Sequence, residues 1–241
     1  MKLKNLRDNL HKLKNPSKAK ILQGFFKTGV GQYGEGDTFL GISVPECRKI
    51  ATKYANLSLK DITTLLKSET HEERLIALLI LIQNFQKSSK KEKKDIYNFY
   101  LNSTKYINNW DLVDLSAPKI VGEYLLGQEI PKQVRDDTLI KLARSKNLWE
   151  KRIAIIATYQ FIWKAKEYKE TFRIAEILIS DKHDLIQKAI GWMLREVGKK
   201  VSQEAEEDFL KKNYQKMGRT TLRYAIERFP EDLRIKYLKT D

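Results

Sequence analysis

The strongest chemical suggestion in this chain comes from two residues one helical turn apart, Trp110 and Asp114, within Asn108-Asn109-Trp110-Asp111-Leu112-Val113-Asp114-Leu115-Ser116-Ala117. An i to i+4 spacing puts the indole and the carboxylate on one face of a helix. A broad π-face beside an acid favours positive charge, so the pair reads as a cation site. Trp192, in GWMLREVGK, and Arg152, in WEKRIA, fall near the corresponding turn of neighbouring segments. Stacking of those segments would bring all four residues onto one groove. The same residues admit a plainer reading, in which both tryptophans are core and Asp114 is a helix cap or an ion-pair partner.

Such a set needs regular helices to position it, and the chain supplies them. Five prolines and eleven glycines leave long stretches with apolar residues every three or four positions, such as LIALLILIQNF (75–85) and RIAIIATYQFIW (152–163). Helix starts are marked by Ser43 with Glu46, Thr70 with Glu73 and Asn147 with Glu150, each fit to cap exposed amides. Strand signals are nearly absent. Alanines in similar amphipathic settings recur at Ala77, Ala117, Ala154, Ala189 and Ala225, with spacings of 40, 37, 35 and 36. That period is a helical-hairpin repeat, in which a small residue at a fixed position lets neighbouring helices approach. The expectation is therefore an all-α fold, a HEAT-like or armadillo-type superhelical solenoid forming a single domain over 1–241. A solenoid of this kind has a concave face, and Arg74, Lys151, Arg152, Lys188, Arg195, Arg219 and Arg223 lie in or beside the anchor helices that would line it as a basic groove.

Forty-six Lys and Arg against 31 Asp and Glu leave a formal charge of +15, which points to a polyanionic partner. A lone Cys47 and three histidines, His11, His71 and His183, support neither a disulfide framework nor a Cys/His metal cluster. With no apolar run of about 20 residues and no apolar signal core in MKLKNLRDNLHKLKN, the chain reads as cytoplasmic, without membrane contact. No heptad seam is evident, which favours a monomer. Gly29, Gly31 and Gly34 fit the G-x-G-x-x-G string of dinucleotide-binding folds, but the preceding AKILQGFFKTG is helix-like where that fingerprint needs a strand. They read instead as a turn between helices.

Several blocks in order resemble the AlkD-like DNA alkylation repair glycosylases: YGEGDTFLGISVPECRKIA (33–51), NNWDLVDLSAPKIVGEYL (108–125), NLWEKRIAIIATYQFI (147–162), DLIQKAIGWMLREVGK (184–199) and RTTLRYAIERF (219–229). The resemblance implies a HEAT-like solenoid that removes positively charged N3- and N7-alkylpurines from duplex DNA without a metal or organic cofactor. It implies Trp110, Asp114 and Trp192 around the lesion's deoxyribose, Arg152 on the nearby phosphate, Tyr33 facing the DNA, and a lesion that is not flipped. The chemistry agrees with these roles, because the sugar turns oxocarbenium-like as the base departs and a fixed carboxylate with indole faces answers that charge. Lys151, Lys188, Arg195 and Arg223 complete the expected DNA contacts. Two other readings share the scaffold: a DNA-binding relative that does not cut, and a HEAT-type scaffold gripping an acidic protein or RNA.

Overall fold

Apolar residues at helical spacing do form helices throughout a computed structural model that describes residues 2–127 and 129–239; the expected domain bounds 1 and 241 lie outside them. Two compact units emerge, one ending at Leu112 and one beginning at Val113. No helix among the described residues is long and apolar enough to cross a membrane.

The first unit holds α1 (Lys2–Lys12), α2 (Pro16–Phe25), α3 (Val44–Lys53), α4 (Leu59–Leu66), α5 (His71–Lys87), α6 (Lys90–Asn102) and the start of α7 (Trp110–Ala117). Its core helix is α5, against which α3, α4 and α6 pack. The run from His71 to Ile82 on α5 is buried on every face, and after its polar first turn it is apolar all round from Leu75 to Ile82. Asn15 caps α2 by accepting from Lys18 N at 3.0 Å, with Pro16 at the first helical position. Ser43 and Glu46 form the expected box at α3, with Ser43 N and Oγ donating to Glu46 Oε2 at 3.3 and 2.9 Å.

Thr70 departs from expectation, because its side chain makes no cap bond. The chain instead enters α5 through a parallel bridge between Thr38 and Thr70, in which Thr38 N donates to Glu69 O at 2.9 Å and His71 N to Thr38 O at 2.8 Å. Glu73 turns away to Arg7, whose Nε and Nη2 donate to it at 3.0 and 2.8 Å. The neighbouring Glu72 is the residue that collects amides, from Leu40, Gly41 and Ile42 at 2.8–3.2 Å, and so ties the 38–43 loop to α5. The glycine string is the turn it was read as. It follows α2, and the Gly29 and Gly31 amides are taken by Gln32 Oε1 at 3.0 Å and Glu35 Oε2 at 2.8 Å.

The second unit continues α7 through a π-helical turn, Pro118–Gly122, into α8 (Glu123–Leu125). It then adds α9 (Lys132–Ala143), α10 (Leu148–Ala157), α11 (Lys169–Leu178), α12 (Asp184–Lys200), α13 (Gln203–Asn213), α14 (Arg219–Ala225) and α15 (Glu231–Lys239). Packing runs α9 on α11 along one side and α10 on α12 on α14 along the other, the arrangement that stacked helical hairpins require. The repeat alanines are the reason it closes. Ala154, Ala189 and Ala225 sit on α10, α12 and α14 with no exposed surface. At Gly191 a Cβ would lie 2.4 Å from Thr221 O, so α14 approaches α12 more closely than any side chain there would allow. Ala77 on α5 is equally inaccessible in the first unit.

Candidate active site

In the second unit, α7 and α10 are joined by a two-point ion pair. Arg152 Nε and Nη2 donate to the two oxygens of Asp114 at 2.8 Å each, and Nη1 donates to the carbonyl of Leu185 in the first turn of α12. These bonds use three of the five guanidinium N–H groups. The arginine side chain is 5% exposed and the aspartate 16%, so Asp114 lies at the edge of the packed interior with its position dictated by a planar fork. Beside it, Lys151 Nζ meets Asp181 at 2.8 Å. Asp181 also accepts from His183 N at 2.8 Å, and His183 Nδ1 in turn accepts from Leu185 N at 3.2 Å as the N-cap of α12. Accepting at Nδ1 requires neutral imidazole, and burial lowers the His183 pKa in that direction. For Asp181, burial opposes the charge but the bonds from Lys151 and His183 outweigh it and hold the pKa down. Trp192 stands further along α12, half-buried, with its ring 6.5 Å from that of Tyr159.

In the first unit, Trp110 opens α7 against a pile of aromatic rings. It stacks on Phe26 at 5.2 Å and meets Phe25 edge-on at 5.7 Å, while Phe26 stacks on Phe39 at 5.1 Å. His71, the first residue of α5, lies against Phe39 at 4.6 Å. It bridges two carboxylates, donating from Nδ1 to Asp37 at 3.3 Å and from Nε2 to Asp111 at 2.8 Å. Arg74 Nη2 lies 2.6 Å from Asp37, and Asn109 Nδ2 donates to the same carboxylate at 3.2 Å. The Asn109 carbonyl takes the Trp110 amide at 2.8 Å. Burial disfavours charge on His71, but the hydrogen bond and charge of Asp111 and the bond to Asp37 prevail, raising its pKa to about 9. Burial likewise pushes Asp37 up, and His71, Arg74 and Asn109 reverse that and hold it below the ordinary carboxylate range. Trp110 is thus fixed at its ring by Phe25 and Phe26 and at its backbone by Asn109, which the charged network holds.

This network was invisible to spacing. Asp37, His71 and Asn109 are 34 to 72 residues apart, and the one available signal was a buried-looking histidine opening an apolar helix. In the basic strip the placement of Arg74 needs correction, and several other members have partners within the protein. Arg74 is 4% exposed and held by Asp37 and by the Ser68 carbonyl at 3.0 Å, so it is an interior cation. Lys188 pairs with Asp184 at 2.7 Å, Arg195 pairs with Glu227, and Arg219 donates to the Leu238 carbonyl at 2.8 Å. Of these, only Lys188 finds its acid at helical spacing; Arg74 and Arg195 find theirs across the fold and Arg219 meets a backbone carbonyl, so spacing could not foretell these partners. Arg223 is exposed on α14, and Tyr33 is half-buried in the loop between α2 and α3. Cys47 is buried, and desolvation followed by the charges of Glu72 and Glu46 drives its thiol to about 12, which rules out a nucleophilic role at neutral pH.

Residues 6–229 match the family model described as DNA alkylation repair enzyme. Among solved structures the chain is similar to one from Enterococcus faecalis described as a predicted DNA alkylation repair enzyme. The identity is 18%, the TM-score 0.66, and 90% of this chain and 97% of that one are covered. At that identity the likeness speaks for the all-α, solenoid-like fold. No curated protein matches the chain.

Proposed function

Because this chain belongs to the DNA alkylation repair enzyme family, we propose that it hydrolyses the N-glycosidic bond of positively charged N3- and N7-alkylpurines in duplex DNA. The observation that carries the reading is the Asp114 carboxylate, aimed by the Arg152 fork and kept at the edge of the interior rather than sealed in it.

As the C1′–N9 bond breaks, its electron pair moves onto the cationic base, which leaves as a neutral alkylpurine, and positive charge appears on the deoxyribose. Asp114 stabilises that charge and orients the water that adds to C1′. The water's proton leaves through the carboxylate to solvent, giving an abasic sugar and free base. Trp110 and Trp192 add cation-π attraction, each on the order of 0.5 to 2 kcal/mol. An alkylated purine is already a good leaving group, so one carboxylate suffices where an ordinary glycosidase needs two. Selectivity then follows the charge and lability of the lesion, without extrusion of the base, and bulky N3 or N7 adducts are tolerated. Arg152 positions Asp114 and offers its remaining N–H groups to a phosphate, with Tyr33, Lys151, Lys188, Arg195 and Arg223 as further DNA contacts.

A second reading has one observation in its favour. Asp114 already faces a guanidinium, as it would in a groove that binds DNA without cutting. Incubation with duplex DNA carrying N7-methylguanine separates the two. The enzyme releases free base, and Asp114→Asn loses about a hundredfold or more in single-turnover rate. Salt-sensitive binding without release selects the inactive binder, and absence of DNA binding discards both.

A further inference from the structure

Trp163 is 51% exposed on a π-helical turn, Phe161–Ala165, shortly after α10. Its ring is nearly parallel to that of Tyr159, at 6° with centroids 6.4 Å apart, and Tyr159 continues to Trp192 at 6.5 Å. Three aromatic rings, Trp192 on α12, Tyr159 between α10 and the π turn, and Trp163 on the turn itself, therefore follow one another across the second unit, beginning at the indole proposed to face the lesion. Cations attend the exposed end. Lys200 Nζ lies 4.4 Å from the Trp163 centroid and Lys166 Nζ 5.7 Å from it, while Lys199 is exposed on α12. Lys166 adopts a left-handed backbone, φ 58°, a conformation that disfavours any residue with a Cβ.

Exposed aromatic faces combined with closely spaced lysines match the two surfaces of an unstacked nucleic-acid strand, base faces and phosphates. An intact duplex covers its base faces by stacking and presents only edges and backbone. We propose that Tyr159 and Trp163 form a stacking subsite for an unpaired nucleobase, with Lys166, Lys199 and Lys200 holding the phosphates of the strand that carries it. The subsite rests on the reading of the chain as acting on DNA. It gives the groove a second, base-facing contact beyond the lesion itself.

The test uses the full chain with three labelled probes: a single-stranded oligothymidylate, a strand of equal length and charge lacking bases, and a duplex containing N7-methylguanine. Trp163→Ala is expected to weaken oligothymidylate binding about tenfold, with Trp163→Phe recovering most of the loss and the base-free strand unaffected. Single-turnover release from the saturated duplex stays within twofold of wild type. Equal weakening on the base-free strand would make the ring a backbone contact and overturn the subsite. Unchanged oligothymidylate binding with release intact would also overturn it, while leaving the glycosylase reading standing. Failure of the wild-type chain to bind any of the three would remove the DNA reading and the subsite together.

Discussion

Arg152 and Asp114 lie 38 residues apart, and neither neighbourhood reveals that they meet in a two-point fork. From spacing alone the arginine reads as a groove cation and the aspartate as either a catalytic acid or an ion-pair partner. Folded, the aspartate is both half-open and paired, and the arginine is interior. That placement sharpens the expectation for mutants. Arg152→Ala leaves the carboxylate without its counter-charge, so it should lose about 3 kcal/mol or more of stability in urea titrations. Arg152→Lys keeps the charge but not the fork, because an ammonium is a single point donor. Base release by that variant is expected to fall about tenfold while duplex affinity and its salt slope barely change. In Arg152→Ala, which removes the charge, a salt slope smaller by about one is expected from the phosphate contact, and an unchanged slope would leave Arg152 to Asp114 alone.

Helix-level features were the most legible, since they depend on neighbours within four residues. Ser43 with Glu46 caps as the spacing suggests, and Asn147 caps α10 by itself, accepting from Trp149 N at 2.8 Å. Thr70 does not, because a bridge to Thr38, more than thirty residues earlier, already organises the start of α5. The recurring alanines pointed correctly to close helix packing, but close approaches in the second unit also fall at glycines, at Gly122 against the Ala157 carbonyl and at Gly191 against the Thr221 carbonyl. Gly191→Ala places a methyl within 2.4 Å of the Thr221 carbonyl and 2.5 Å of Tyr224 Cβ, so α14 must move off α12. The expected cost is about 1 to 3 kcal/mol, read as a lower urea midpoint with an unchanged m-value. A neutral result would mean that the α12–α14 contact is looser than its geometry indicates.

At the scale of the whole chain, stability should follow pH through a few buried groups. His71 has its pKa raised from 6.5 to about 9, so its contribution is complete below 6.5 and disappears as pH rises through 9. Glu206, 2% exposed and pressed against Gly198, has its pKa raised from 4.5 to about 9, by burial first and then by Glu207. It therefore penalises the folded state increasingly between those values. Asp37 acts in the opposite sense, with a depressed pKa that withdraws stability as pH falls below the ordinary carboxylate range. The sum of these three is a maximum near pH 4 to 4.5, between the Asp37 loss and the onset of the Glu206 penalty, and a decline toward pH 9 that steepens above 6.5 as His71 adds to it. Glu206→Gln removes one ionisable cause, so the melting temperature at pH 8 should rise and its decline between pH 6 and 9 should become shallower. An unchanged decline in the glutamine variant would show that the Glu206 carboxyl is not held protonated in the folded state.

By itself the sequence determined the helical class, the hairpin period near the high thirties and the family, because periodicity, caps and ordered blocks are written in near neighbours and need no knowledge of distant ones. It also singled out Trp110, Asp114 and Trp192 by residue type and spacing. Only the tertiary structure decided which charges are interior: Arg152 on Asp114, Arg74 on Asp37, and His71 held between Asp37 and Asp111. The physical reason is that a buried charge is tolerated only with a partner in hydrogen-bond reach, and that partner is chosen by packing across tens of residues rather than by any local pattern.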